Sequence, residues 1–207
     1  SVVFVFNSVR ISAFRVSDGA KFYDSAIEIS GLYDYALSSS GRYLAMTGGK
    51  NSVDVIDLNT GTVAKKVKTY TFNEYGSVIF TSDNKKIVAG MYKVEGDYGG
   101  ALSVWDFHTG NSKTRIDVCM DSLIYDLVPD ENPDHVIAAC YDGTLNKVSI
   151  EKGKIIKKTQ IHDDGIEEIV ISKDFKKIAA LCKYRKVKII NSEDLSVEKT
   201  FSQEINI

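Results

Sequence analysis

A repeat of about 43 residues constrains this chain more than any other feature, because a fixed period of this length is the signature of stacked structural units. Five nine-residue segments align without gaps and begin 42, 49, 43 and 42 residues apart. They are ISAFRVSDG, VDVIDLNTG, LSVWDFHTG, LNKVSIEKG and VKIINSEDL. Each has alternating apolar residues followed by a turn rich in Gly, Asn, Asp or Ser. This pattern predicts a half-buried strand that enters a hairpin.

Each repeat contains sequence for more than one strand. A continuously apolar segment precedes the nonamer in the later units, at 44–46, 87–89, 136–138 and 178–180. A polar turn precedes that segment, a short apolar stretch precedes the turn, and a polar strand follows the nonamer. We therefore predict four strands per unit. In the first unit Val2–Phe6 takes the place of the second strand, and nothing before it supplies an innermost strand.

These strands predict an all-β fold, specifically a β-propeller of four-stranded antiparallel blades. A four-stranded meander of this length cannot bury both faces alone, so neighbouring units must stack face to face. A β-sandwich would explain the strands and turns but not the constant period. We expect a single propeller region over residues 1–207, with units of roughly 1–30, 31–72, 73–120, 121–162 and 163–207.

The units number about five, and we expect them to be an arc of a six- or seven-bladed ring. Blades from residues before Ser1, or self-association, would then close the ring. A five-bladed ring with an irregular first blade is the alternative.

The repeat resembles the WD-repeat propeller family. Trp105-Asp106 ends a strand as the family's Trp-Asp pair does, and the turns SSSGR, TSDNK and SKDFK resemble its FSPDGK-like turn. The segment IHDDG, followed by IEEIVISKD, resembles the Gly-His segment that leads into an innermost strand, although the glycine before His162 is missing. Arg15, Ser149 and Asn191 depart from the acidic position. The segment VDVIDLNTGTVAKKV is equally similar to YVTN-type propeller repeats.

Composition restricts the partners and the location. The formal net charge is −2 and the pI is about 5.9, so no global basic field would draw the chain onto nucleic acid. The longest apolar run, Val2–Phe6, is much shorter than the length needed to span a membrane, so we expect no membrane-spanning segment. Cys119, Cys140 and Cys182 are odd in number and widely spaced, which predicts reduced thiols in an intracellular, most simply cytoplasmic, protein.

The sequence shows no sign of a catalytic site. His108, His135 and His162 fall in different connecting segments, without a metal-binding HExxH motif, a nucleophile elbow or a phosphate-cradling glycine loop. We therefore predict a non-enzymatic protein with no cofactor and no metal. The alternative is a ligand-binding or hydrolytic propeller of YVTN-like type, which would require carboxylates or a metal converging on the central channel.

The resemblance implies a scaffold that binds a partner protein or peptide, within a multi-subunit complex, through loops on one rim. Those loops join second to third strands, and last strands to the next unit. The one insertion in the repeat, at 92–100, falls in such a loop and carries two tyrosines and three glycines. The candidate residues in this and the matching loops are Tyr92, Asp97, Tyr98, Tyr141, Asp142, Tyr184 and Arg185.

Each of these candidates also has a simpler interpretation. The insertion is what a tolerated surface loop would look like. The basic run Lys183, Arg185, Lys186 and Lys188 could grip a phosphate or an acidic peptide, or be a solvated turn.

Overall fold

The computed structural model describes residues 2–6, 10–26, 32–48, 52–68, 74–93, 99–120 and 122–202. Within these ranges the chain is all-β, with nineteen strands in five antiparallel sheets. The first sheet has three strands and each of the others has four, paired in sequence order. The prediction of four-stranded antiparallel blades is confirmed for the second to fifth sheets. No helix among the described residues is long and apolar enough to cross a membrane.

The strands follow the repeat closely. The first sheet contains β1 (Val2–Phe6), β2 (Arg10–Arg15) and β3 (Lys21–Ala26). The second contains β4 (Leu32–Leu37), β5 (Tyr43–Gly48), β6 (Ser52–Asp57) and β7 (Thr62–Lys68). The third contains β8 (Glu74–Phe80), β9 (Lys86–Lys93), β10 (Gly100–Asp106) and β11 (Ser112–Cys119). The fourth contains β12 (Ile124–Pro129), β13 (His135–Cys140), β14 (Thr144–Ser149) and β15 (Lys154–Gln160). The fifth contains β16 (Ile166–Ile171), β17 (Lys177–Cys182), β18 (Lys186–Asn191) and β19 (Val197–Ser202).

Four apolar cores lie between successive sheets, because the middle strands of the inner sheets bury both of their faces. Every residue of β6 and of β14 is buried. Trp105 lies in the core between the second and third sheets, together with Val53 and Ile87. Burying such side chains is the main favourable contribution to folding, so the stacking of sheets stabilises each unit. The prediction of face-to-face stacking is confirmed.

The two end sheets differ from the inner ones. Val5 of the first sheet is 57% exposed, and Val170 and Phe201 of the fifth sheet are 54% and 55% exposed. These side chains lie on the faces that no described sheet covers. The described sheets therefore form an open arc with apolar ends.

Hydrogen bonds between innermost strands also tie the sheets together. One position, just after a β-bulge, recurs in β4, β8, β12 and β16. Its occupants are Asp34, Ser77, Asp126 and Glu168. Asp34 accepts a hydrogen bond from the Val78 N–H of the next sheet, at 2.8 Å. Asp126 accepts one from the Ile169 N–H of the next sheet, at 2.8 Å, and one from the Ser77 hydroxyl of the previous sheet, at 3.2 Å.

Burial and the neighbouring Asp34 raise the pKa of Asp126 to about 6, despite its hydrogen bonds to backbone amides. A carboxyl whose pKa is higher in the folded than in the unfolded chain stabilises the fold most at low pH. This contribution is lost as pH rises through about 6. Between pH 5 and pH 8 the loss is about 1.4 kcal/mol. Carboxyls with lowered pKa values, such as Asp57, change the free energy of unfolding only at lower pH.

We expect Asp126→Asn to remove this loss, because asparagine carries no charge to bury. The measurement is the free energy of unfolding in urea at pH 5 and pH 8, for the wild type and the variant. An equal change with pH in both proteins would contradict the assignment to Asp126.

The cysteines correct one sequence expectation. Cys119 at the end of β11 and Cys140 at the end of β13 form a disulfide, with a Cα–Cα distance of 5.9 Å, that joins the third and fourth sheets. The expectation of three reduced thiols was wrong for this pair. Cys182 is free and buried at the equivalent end of β17, in the core that also contains Ile161. The repeat brings the end of one unit's last strand to the second strand of the next unit, and this contact is not evident from linear spacing.

Candidate partner-binding surface

The turns β13–β14 (141–143) and β17–β18 (183–185) emerge side by side at one rim of the arc, where the hairpin topology places them. They carry four of the candidate residues. Of the other three, Asp97 and Tyr98 lie outside the described residues. Tyr92 lies in β9, of which only the backbone is described at that point.

A tyrosine–lysine cluster connects the rims of the fourth and fifth sheets; we use this name for Tyr125, Tyr141 and Lys183. The Tyr125 and Tyr141 rings stack with centroids 5.2 Å apart and an interplanar angle of 20°. The Lys183 Nζ donates a hydrogen bond to the Tyr141 hydroxyl at 2.6 Å and lies 4.0 Å from the centroid of its ring. This hydrogen bond raises the pKa of Lys183, so the ammonium stays charged. The cluster is a pre-ordered aromatic and cationic platform.

Both turns contact the same backbone segment, at Gly165 just before β16. The Lys183 N–H donates to the Gly165 carbonyl at 3.3 Å. An added Cβ at Gly165 would lie 2.6 Å from the Tyr141 carbonyl oxygen, so the chains approach closely there. The rim loops of these two sheets are therefore one surface.

Asp142 serves the turn itself. Its carboxylate accepts hydrogen bonds from the Thr144 N–H at 3.0 Å and the Thr144 hydroxyl at 2.7 Å. Its own N–H donates to the Ser122 hydroxyl at 2.9 Å. These bonds give Asp142 a structural role in shaping the turn.

Tyr184 and Arg185 project from the β17–β18 turn. Tyr184 is 73% exposed, and Arg185 is exposed as well. Both have positive φ, at 59° and 58°, a backbone conformation that side chains other than glycine rarely adopt. The residues of the basic run differ in their contacts. Lys188 donates a hydrogen bond to the Ile161 carbonyl, whereas Arg185 and Lys186 form no ion pair with a described carboxylate.

The sequence prediction missed Tyr125. It lies in β12, one residue before the bulge position of Asp126, where Tyr33 lies in the second sheet. Tyr33 is 55% exposed. The tyrosine that recurs at this position, as Tyr33 and Tyr125, was the sequence feature that could have identified it.

The innermost strands also bear on the alternative of a channel site. Asp34 and Asp126 bind backbone amides of the next sheet, so their oxygens are engaged in joining the sheets. Among the described residues, no three His, Cys, Asp or Glu side chains form a group that could hold a metal ion.

A groove on the opposite rim lies between the fourth and fifth sheets and encloses about 570 Å³. Asp130, Lys147, Phe175 and Glu193 are among its lining residues. The Lys147 ammonium lies 2.8 Å from the Asp130 carboxylate, so these two lining charges are already paired with each other.

Comparison with known proteins is consistent with the geometry. No protein-family model matches the chain. It is 26% identical, over 169 residues, to WD repeat-containing protein 55 of Arabidopsis thaliana, an alignment that covers 81% of this chain and 44% of that protein. Its fold matches the crystal structure of the Myceliophteria thermophila Cps50 (Swd1) β-propeller domain with a TM-score of 0.78 and 13% identity, over 94% of this chain and 66% of the other.

The chain thus spans less than half of the curated relative and about two thirds of the solved domain. The stacked four-stranded sheets and the propeller neighbour lead to the same fold. The chain has a β-propeller fold and is similar in sequence to a WD-repeat protein.

Proposed function

We propose that this protein is a non-catalytic scaffold that binds a partner protein or peptide on the rim formed by the fourth and fifth sheets. The contact residues are those of the tyrosine–lysine cluster together with Tyr184 and Arg185. The observation that carries the proposal is the exposed Tyr184 beside a cation and two stacked tyrosines. Tyrosine and arginine are the residues that most often dominate binding energy at protein interfaces.

The pre-ordered cluster supports this function physically. Lys183 and Tyr141 are held by each other, so little side-chain freedom remains to be lost when a partner binds. The β-sheets beneath fix the spacing of the two turns.

The outer faces of the first and fifth sheets support a second part of the proposal, that the arc works within a larger assembly. Val5, Val170 and Phe201 are apolar and exposed, and propellers cover such faces with neighbouring blades. Further blades of the whole protein, or self-association, would cover them. The relatives' greater lengths agree with this.

We expect Tyr184→Ala to reduce capture of the partner from extracts at least tenfold without loss of folding, because Tyr184 is a binding anchor that forms no described core contact. The measurement is quantitative mass spectrometry of proteins retained by the immobilised chain. Lys152→Ala is the control, since Lys152 is an exposed residue on the opposite rim. Equal capture by the wild type, Tyr184→Ala and Lys152→Ala would remove the proposed rim from consideration.

A further inference from the structure

We propose that the β17–β18 turn binds an acidic segment of a protein partner, rich in aspartate and glutamate, with Arg185 as the principal anchor. This inference rests on the proposed function, because it assigns a chemical class to the ligand of the same rim.

The backbone of this turn is the first argument. Positive φ at two consecutive turn residues is the pattern of a type I′ turn, for which Asn-Gly is the favoured pair. Here the pair is Tyr184-Arg185, with φ values of 59° and 58°. The matching turn of the fourth sheet places Gly143 at its positive φ. Two large side chains are therefore kept in a strained conformation while remaining exposed, an arrangement that clusters at binding sites.

The charge of the turn is the second argument. Lys183, Arg185 and Lys186 lie within four residues, and none of them forms an ion pair with a described carboxylate. The exposed acids of the preceding loop, Asp163 and Asp164, are not paired with them either. The cations are thus available to an incoming ligand, although the chain as a whole is slightly acidic.

The geometry of the cations selects the ligand class. A guanidinium binds a carboxylate through two parallel hydrogen bonds, and Arg185 has no described partner that would compete for them. The Lys183 ammonium is fixed 2.6 Å from the Tyr141 hydroxyl, so a second positive charge is held at the edge of the stacked tyrosines. Carboxylates spaced along an extended segment match two such charges.

The first variant replaces the strained pair with the residues the turn favours, Tyr184→Asn with Arg185→Gly. We expect the Tm to rise by about 3 to 6 °C, because the left-handed strain is relieved. We expect affinity for a fluorescein-labelled ten-residue peptide of alternating Glu and Ser to fall at least tenfold, measured by fluorescence anisotropy at low ionic strength. A higher Tm together with weaker peptide binding would show that Tyr184 and Arg185 contribute to binding at the expense of stability.

The second variant, Arg185→Gln, removes the charge but keeps a non-glycine residue at the same positive φ. We expect a similar loss of affinity with little change in Tm. The control is Lys152→Gln, which removes one exposed charge from the opposite rim and should leave affinity within twofold. A peptide with Gln in place of Glu should not bind.

Unchanged affinity of both turn variants for the Glu-Ser peptide would overturn the proposal, as would equal binding of the Gln peptide. Loss of peptide binding in the control as well would also overturn it, because attraction would then be non-specific. If Tyr184→Ala still reduces partner capture in such a case, the rim remains the binding surface and only the ligand class is wrong.

Discussion

Replacing Gly143 with alanine is expected to destabilise the protein by about 4 kcal/mol, from left-handed strain and backbone displacement together. Gly143 has a φ of 82°, and a Cβ there would overlap the carbonyl oxygen of His162. The backbone cannot easily withdraw, because the N–H groups of Ile161 and His162 both donate to the Gly143 carbonyl. This is the point where the rim turn of the fourth sheet meets the segment leading into the fifth.

The measurement is the free energy of unfolding in urea. Gly153→Ala is the matched control, since Gly153 also has positive φ, at 62°, but an added Cβ meets no atom within 4 Å. That control should lose only about 1 kcal/mol. Equal losses in the two variants would show that the close approach at Gly143 has no energetic weight.

Removing the disulfide with Cys119→Ala and Cys140→Ala together is expected to lower stability by about 3 kcal/mol. A crosslink that closes a loop of this length restricts the unfolded chain by about that amount. For a chain of this size the Tm should fall by about 6 to 12 °C. Reduction of the wild type with dithiothreitol should produce the same fall.

Cys182→Ala supplies the control, because Cys182 occupies the matching strand end without a bond. Its Tm should remain as sensitive to the reductant as that of the wild type. Thiol titration of the unreduced, unfolded wild-type protein should find a single free thiol. Three free thiols would contradict the pairing of Cys119 with Cys140.

The fold could be predicted because the repeat encodes its own turns. Four of the nine-residue segments end in glycine, and in the structure these glycines all have positive φ. The fifth ends in Leu195, which has a φ of 56° and is fully buried in the core between the fourth and fifth sheets. Tertiary packing there outweighs the backbone preference for glycine. In the fifth unit the repeat period therefore located the hairpin without help from a glycine.

The details of the candidate site could be predicted only in part. The rim position of Tyr141, Tyr184 and Arg185 followed from the order of strands. The stacking of Tyr125 on Tyr141 did not, because it depends on a β-bulge in β12 that shifts which side chains reach the rim. The disulfide was missed for a related reason, since a contact between strand ends of different units depends on how sheets stack. The intracellular location stays a prediction, and the disulfide removes the cysteine argument for it.

The most direct test of the partner-binding rim is photo-cross-linking with p-benzoylphenylalanine in place of Tyr184. The control carries p-benzoylphenylalanine in place of Lys152 on the opposite rim. The account predicts a discrete partner cross-linked from position 184 and none from position 152, with the cross-link competed away by unlabelled wild-type protein. Cross-linking of the same proteins in equal yield from both positions would contradict it.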